Sequence, residues 1–277
     1  MSSKYLLILI FVFHIGSIVG QTITGKVVDA STGESLAFVL IEVNEKQFKT
    51  SSDEAGMFVL DINGLTDETT IRFSTIGYPV QIFSIKELTS NQKITVRLES
   101  LTVPLSEVVI TPGKKRKVGM TKCAPGPTFG FEATHLGKGY ERGLKIELGE
   151  APVFVKSLHI RVHKNSVDTS LLLLHVRNIA NETPANELLK KKIILSITKK
   201  SGWIEIDLSR YQLVFQGDII LSMELLDAKG KTKRKPTGEI IHFNTAKAPT
   251  GTYTKQGREM PWELTNDRTP SFYLTVL

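Results

Sequence analysis

Polar and apolar residues alternate with a period of two along most of this chain. Ile23, Gly25 and Val27 alternate with Thr22, Thr24 and Lys26, and Phe58, Leu60 and Ile62 alternate with Met57, Val59 and Asp61. Ile71 and Phe73 alternate with Arg72 and Ser74, and Ile94, Val96 and Leu98 with Thr95, Arg97 and Glu99. A period of two turns one row toward a core and the other toward water, which predicts half-buried antiparallel strands. Turn clusters at Ser31–Glu34 and Asp53–Gly56 separate the runs. Turns spaced by about 8–12 residues point to a sandwich rather than to βαβ units. Gly33 and Gly56 stand where Ser- or Asp-initiated turns need a residue that tolerates positive φ. No helix is predicted between residues 22 and 110.

Alternation stops at Thr111-Pro112-Gly113, Lys114-Lys115-Arg116-Lys117 and Ala124-Pro125-Gly126-Pro127. This composition predicts an exposed basic linker over 111–127. Strands return from about Thr128, with Leu158, Ile160 and Val162 opposite Arg161, His159 and His163. Ile193, Leu195 and Ile197 follow, then Ile204, Ile206 and Leu208 opposite Trp203, Glu205 and Asp207. Asn186 to Lys192 is expected to form one short helical turn, and Phe272 to Val276 a closing strand. The expected architecture is all-β throughout. A β-sandwich over 21–110 is followed by a second sandwich over 128–277, of jelly-roll type.

The first twenty residues predict the compartment. Lys4 supplies a positive start, Tyr5 to Val19 is mostly apolar, and Ser17-Ile18-Val19-Gly20 offers small residues before Gln21. Residues 1–20 therefore read as a cleavable signal peptide, shorter than the ~20 apolar residues of a comfortable membrane span. Export to the periplasm, the outer membrane or the cell surface is expected, with no transmembrane span after cleavage. Cys123 is the only cysteine, so no internal disulfide can form and packed cores must supply stability.

Several spaced segments carry a family resemblance. Gly25-Lys-Val-Val-Asp29, Thr32-Gly33-Glu34-Ser35-Leu36, Asp53-x-x-Gly56-x-Phe58, Ser74-x-Ile76-Gly77-Tyr78 and Leu105-Ser106-Glu107-Val108-Val109-Ile110 together resemble the carboxypeptidase-regulatory-like domain. That family commonly precedes TonB-dependent outer-membrane receptors of Gram-negative bacteria and also occurs in free-standing secreted proteins. The resemblance implies a seven-stranded, transthyretin-like sandwich. It does not imply peptidase activity, because the domain is an accessory to the enzyme that named it. After Ile110 the sequence departs from the receptor pattern, with neither a plug nor room for a barrel of about 22 strands.

Net charge is +7, concentrated at Lys114 to Lys117 and at Lys229 to Lys235. Neither cluster interleaves aromatics, so nucleic acid is not an expected partner. A zinc-peptidase site would need His-x-x-Glu. The residues three places after His135, His159, His163, His175 and His242 are Lys138, Val162, Ser166, Asn178 and Thr245, so the motif is absent. His159 and His163 on a strand stand roughly 13 Å apart and read as two exposed histidines on an outer face. Glu205 and Asp207, roughly 7 Å apart on one strand face, read as solvated carboxylates. Ser90-x-x-Lys93 and Ser196-x-x-Lys199 lack the companion motifs of a serine acyltransferase. No catalytic residue, metal or cofactor is expected.

The segment from Lys247 to Arg268 lacks strand alternation and reads as a long polar loop, a kind of segment that often carries contacts. Tyr253, Trp262, Lys255 and Arg258 within it, together with Trp203, are the candidate ligand-contact residues. The function expected from the sequence is non-catalytic binding or assembly in the cell envelope, with a surface glycan or an envelope protein as partner. The competing expectation is a hydrolase whose carboxylates assemble in the second domain. Converging titratable groups in a cleft would favour the hydrolase, and an aromatic-lined surface would favour binding.

Overall fold

The computed structural model describes residues 21–277 except 44–48, 91–93, 102–112, 231–236, 249, 258–259 and 266. The signal segment, the Leu105–Ile110 motif, most of the second basic cluster and Arg258 lie outside the described residues.

The N-terminal domain contains β1 (Thr22–Asp29), β2 (Leu40–Val43), β3 (Lys49–Ser51), β4 (Met57–Asp61), β5 (Thr70–Thr75), β6 (Tyr78–Ser84), α1 (Ile85–Thr89) and β7 (Ile94–Leu98). These strands form a three-stranded sheet in the order β4-β1-β7 and a four-stranded sheet in the order β3-β2-β5-β6. The seven strands expected are therefore present, closed over a core of Val27, Ile41, Phe58, Leu60, Ile71, Phe73 and Leu98. Gly25 is required at the centre of β1, because a Cβ there would stand 2.6 Å from the Phe58 ring. Helix α1 is a departure from the sequence expectation. Ser84 caps it, with Glu87 reaching back to the Ser84 N–H, and Ile85 and Leu88 are buried beneath it. Ser84-x-x-Glu87 is a capping-box signature that follows directly on β6.

The second domain begins with β8 (Arg116–Gly119), β9 (Phe129–Glu132), β10 (Tyr140–Ile146), β11 (Val153–Asn165), β12 (Thr169–Ala180), β13 (Thr183–Glu187) and β14 (Ile193–Ile197). It continues through β15 (Gly202–Asp207), β16 (Val214–Phe215), β17 (Ile219–Lys229), β18 (Glu239–Phe243) and β19 (Thr245–Lys247). It ends with β20 (Thr252–Gln256), β21 (Trp262–Thr265), β22 (Arg268–Pro270) and β23 (Phe272–Val276). One sheet runs β13-β12-β17-β10-β20-β21 with β14 also on β12. The other runs β8-β23-β11-β18-β9 with β15 and β16 also on β11. Leu144, Leu172, Leu174, Val176, Leu221 and Met223 of the first sheet share one core with Leu158, Ile160, Phe243, Phe272 and Leu274 of the second. The sandwich is confirmed, but each sheet holds seven strands, more than the four per sheet of an eight-stranded jelly roll.

Three local expectations are corrected. The stretch 111–127 is not simply a linker, because Arg116–Gly119 pairs with β23 as an edge strand of the second domain. Asn186 to Lys192 forms no helical turn. Thr183–Glu187 is a strand, and the Asn186 N–H is held at 2.7 Å by the Asn178 side chain across the hairpin. The 247–268 segment is largely paired rather than looped. Lys255 faces Trp262 and Tyr253 faces Leu264 in a β20–β21 hairpin on the sheet edge.

The two domains are packed together. Phe38 and Ile76 come from the N-terminal domain but belong to the hydrophobic cluster of the second one. Phe38 adopts a φ of 52°, a costly conformation for a bulky residue, and so turns its ring away from its own sheets. The Lys192 ammonium donates to the carbonyl oxygens of Ala37 and, at 3.3 Å, Phe38. Lys229 pairs with Glu54 at 2.7 Å. Gly77, at φ 87°, leaves no room for a side chain because the Lys190 carbonyl oxygen lies 2.7 Å from its would-be Cβ. Burial of each large apolar side chain in such a contact contributes about 1.5–3 kcal/mol.

Candidate functional site

Among the described residues, the densest chemistry lies on the outer face of the β12-β17-β10 sheet. The core-facing rows of these strands are Leu172-Leu174-Val176, Leu221-Met223-Leu225 and Leu144-Ile146. The alternate rows carry His175 and Arg177 on β12, Ser222 and Glu224 on β17, and Glu141 on β10. Strand register sets His175 opposite Ser222, and sets Glu224 between Leu173 and Glu141. Glu141 in turn faces Lys255 on β20. Gly143 sits beside Ser222, where an added Cβ would meet the Leu221 carbonyl oxygen at 2.1 Å.

This outer row is sealed from water. Relative exposure is 0% for Glu141, 1% for His175 and 2% for Glu224. Charges buried to that degree must be paired, and these are. Arg177 donates to both oxygens of Glu141, Nη1 to Oε2 at 2.5 Å and Nη2 to Oε1 at 3.0 Å. Ser222 Oγ donates to Glu141 Oε2 at 2.9 Å. The imidazole of His175 lies between two further carboxylates. Its Nδ1 is 2.7 Å from Glu187 Oε2 and its Nε2 is 3.2 Å from Glu224 Oε2. The Gly139 N–H donates to the other oxygen of Glu224 at 3.1 Å, and the Val176 N–H to Glu187 Oε1 at 3.0 Å.

Electrostatics follow from the pairing. Burial pushes the Glu141 carboxyl up, but Arg177 and His175 beside it prevail and hold it down at about 2. Burial also opposes charge on His175. The Glu141 charge and the bonds to Glu187 and Glu224 outweigh burial and Arg177, so its pKa is raised. Glu187 is lowered in spite of burial, by its bond to His175 and the charges of His175 and Arg177. Removing one partner from such a set strands a buried charge and costs about 3–5 kcal/mol.

Trp262 overlies this set from the edge hairpin. The Arg177 guanidinium lies 5.4 Å and the Lys255 ammonium 5.6 Å from its ring. Of the candidate contact residues, Trp262 and Lys255 are thus brought together, each half-buried at the sheet edge. Tyr253 is not available as a stacking face. It is 6% exposed, its hydroxyl donates to the Glu182 carbonyl oxygen at 3.3 Å, and burial raises its pKa.

Trp203 lies apart, on the outer face of the other sheet. Its ring meets Tyr273 edge-on at 5.3 Å, and Tyr273 stacks on His159 at 4.2 Å with the ring planes 6° apart. Lys117 caps the same tyrosine at 5.2 Å. His159 is therefore not the exposed histidine that its strand position suggested. It is packed by a neighbouring strand and lies within 3.0 Å of Ser157 Oγ and 2.9 Å of Thr275 Oγ1. His163 is exposed as expected, and so are Glu205 and Asp207.

Residues 23–110 match the family model described as CarboxypepD_reg-like domain. The N-terminal domain is accordingly a carboxypeptidase-regulatory-like domain, and the sheets described above show its sandwich. The match ends before the second domain, which carries the charged set. No curated protein and no solved structure gives a significant match to the chain.

Proposed function

We propose that the protein is an exported, non-catalytic binding module of the cell envelope that uses the β20–β21 edge of its second domain to hold an acidic surface glycan. The observation that carries this reading is the pairing of half-buried Trp262 with Lys255 on the β20–β21 edge hairpin. An aromatic face stacks on a sugar ring, and an adjacent cation holds acidic substituents. The N-terminal domain belongs to a family of accessory sandwiches, which supports a binding role. Export rests on the Lys4-to-Gly20 pattern of the sequence. The groups that a hydrolase would use, Glu141, His175 and Glu224, are paired with one another under a sealed surface, which favours binding over catalysis.

Glycan-array screening of the mature protein tests the proposal. Binding is expected to concentrate on uronate- or sialate-bearing glycans and to fall at least tenfold in Trp262→Ala. Retained binding in that variant, or an array with no acidic glycan above background, would sink it. Capture of a protein partner in an envelope pull-down that survives Trp262→Ala would point instead to the assembly role.

A further inference from the structure

We propose that Glu141, His175 and Glu224 form a binding site for one divalent first-row transition-metal ion, for which Zn2+ is the suitable probe. The three side chains come from adjacent strands, β10, β12 and β17. One ligand atom from each lies within 4.8 Å of the others.

For His175 and Glu224 the partners separate inner from outer atoms, whereas both oxygens of Glu141 are held, Oε2 by Arg177 Nη1 and Ser222 Oγ. Each residue has its far atom fixed by a neighbour. Glu187 holds Nδ1 of His175, the Gly139 N–H holds Oε1 of Glu224, and Arg177 Nη2 holds Oε1 of Glu141. The near atoms, Nε2 of His175 and the two Oε2 atoms, then converge. A carboxylate on the distal nitrogen of a ligating histidine is the usual outer support of a metal site, because it sets the tautomer and raises ligand basicity. From Nε2 the oxygens of Glu224 and Glu141 stand at 3.2 and 3.9 Å. An ion with bonds of about 2.0–2.1 Å spaces tetrahedral ligand atoms by roughly 3.3 Å, so the Glu224 oxygen already fits and the Glu141 carboxylate must rotate inward.

The surroundings are acidic. Carboxylate oxygens of Glu141, Glu187 and Glu224 stand 3.9, 2.7 and 3.2 Å from the His175 ring nitrogens, with Arg177 and, from the next strand, Lys255 as the neighbouring cations. A divalent ion suits a site where three carboxylates gather around one imidazole.

Imidazole and carboxylate together suit Zn2+ and its first-row neighbours rather than Ca2+ or Mg2+. Ser222 Oγ, already on Glu141 Oε2, is a neutral oxygen for a fourth position. Arg177 Nη1 also contacts Oε2 and offsets part of the ion's attraction to that ligand, so Glu141 is the weakest of the three. A site this closed is structural in character. The ion would tie three strands together and release the Nε2 proton as it binds.

The test uses full-length mature protein without a polyhistidine tag, stripped by EDTA and then titrated with Zn2+. Elemental analysis is expected to find about one equivalent per chain, as in a single-ion site. At a roughly hundredfold excess over the dissociation constant, the melting temperature is expected to rise by about 5–10 °C. Glu224→Gln keeps an oxygen for the Gly139 N–H and is expected to lose both effects. Should that variant not fold, the strip and add-back of the unaltered protein decides alone. Uptake below about a tenth of an equivalent with no thermal shift, for Zn2+ and Mn2+ alike, would overturn the site. The occupant of Nε2 would then be a proton.

Discussion

The Tyr78 hydroxyl donates a 2.8 Å hydrogen bond to Oδ2 of Asp29, joining residues 49 positions apart. Both belong to the family-like segments of the N-terminal domain, and the bond ties the start of β6 to the end of β1. The other oxygen of Asp29 accepts from the Ser31 hydroxyl and from the backbone N–H groups of Ser31 and Thr32. One carboxylate thereby closes a turn and pins a distant strand.

That carboxylate predicts a pH dependence. The Ser31 hydroxyl, the Thr32 N–H and the Tyr78 hydroxyl hold the Asp29 pKa well below the usual range, while Tyr78 is raised to about 12 by burial and by Asp29. A depressed carboxylate stabilises the fold above its unfolded pKa of about 3.9, and the contribution is lost as pH falls through the folded value. Tyr78→Phe is expected to melt below the unaltered protein at pH 7, with the gap closing in strong acid. A gap independent of pH would show that Tyr78 acts through packing alone.

Three histidines of the second domain predict a milder acid effect at higher pH. His135, His159 and His242 all have lowered pKa values, with burial the leading cause. The neutral ring is the form the fold prefers. Their contribution is present above the unfolded value of about 6.5 and is lost as pH falls through the folded values. His159→Gln is expected to flatten the thermal profile between pH 7 and pH 5. It should also melt lower at pH 7, because the Tyr273 stack is lost.

Phe38 predicts that the domains do not behave as independent pieces. Phe38→Ala is expected to cost about 3–5 kcal/mol, as for a buried aromatic, and to do so by loosening the domain contact. Trypsin should nick the unaltered protein at the exposed Lys114, Lys115 or Lys122, yet leave both fragments together on size exclusion. Separation of the fragments would show that the contact through Phe38, Ile76 and Lys192 is weak in solution.

Trp262 is half-buried, with Arg177 and Lys255 against its ring. Trp262→Ala is expected to cost roughly 1–2 kcal/mol, less than the ~3–5 kcal/mol of a core aromatic, while abolishing the proposed glycan contact. Calorimetric unfolding beside a binding assay checks both halves. A loss of core size would make the residue a cap over Arg177.

Strands such as β1, β4 and β15 were legible because one face of each meets water and the alternation survives. The charged set was not. Glu141, His175 and Glu224 are far apart in sequence, and a search for His-x-x-Glu or for histidines four apart cannot join residues on three strands. A signal was present nevertheless. Leu171-Leu172-Leu173-Leu174-His175-Val176-Arg177 and Ile219-Ile220-Leu221-Ser222-Met223-Glu224-Leu225-Leu226 are apolar on both strand faces. A charge inside such a run has no solvated side to occupy and must find a buried partner. The β20–β21 hairpin shows no apolar period, because Thr254, Lys255 and Gln256 on one strand and Glu263 and Thr265 on the other are polar on both faces.

Strand β23 is the last described strand, yet it lies between β8, which opens the second domain, and β11. That sheet therefore cannot be completed before residues 272–276 have been made. At about 5–20 residues per second, the ribosome needs on the order of 10–35 s to travel from the end of β7 to β23. Until the second core forms, Phe38 and Ile76 lack the hydrophobic cluster to which they belong. The nascent protein thus keeps apolar surface bare until the second core closes over it, and a chain cut short before Phe272 would lack the strand on which β8 and β11 both pair.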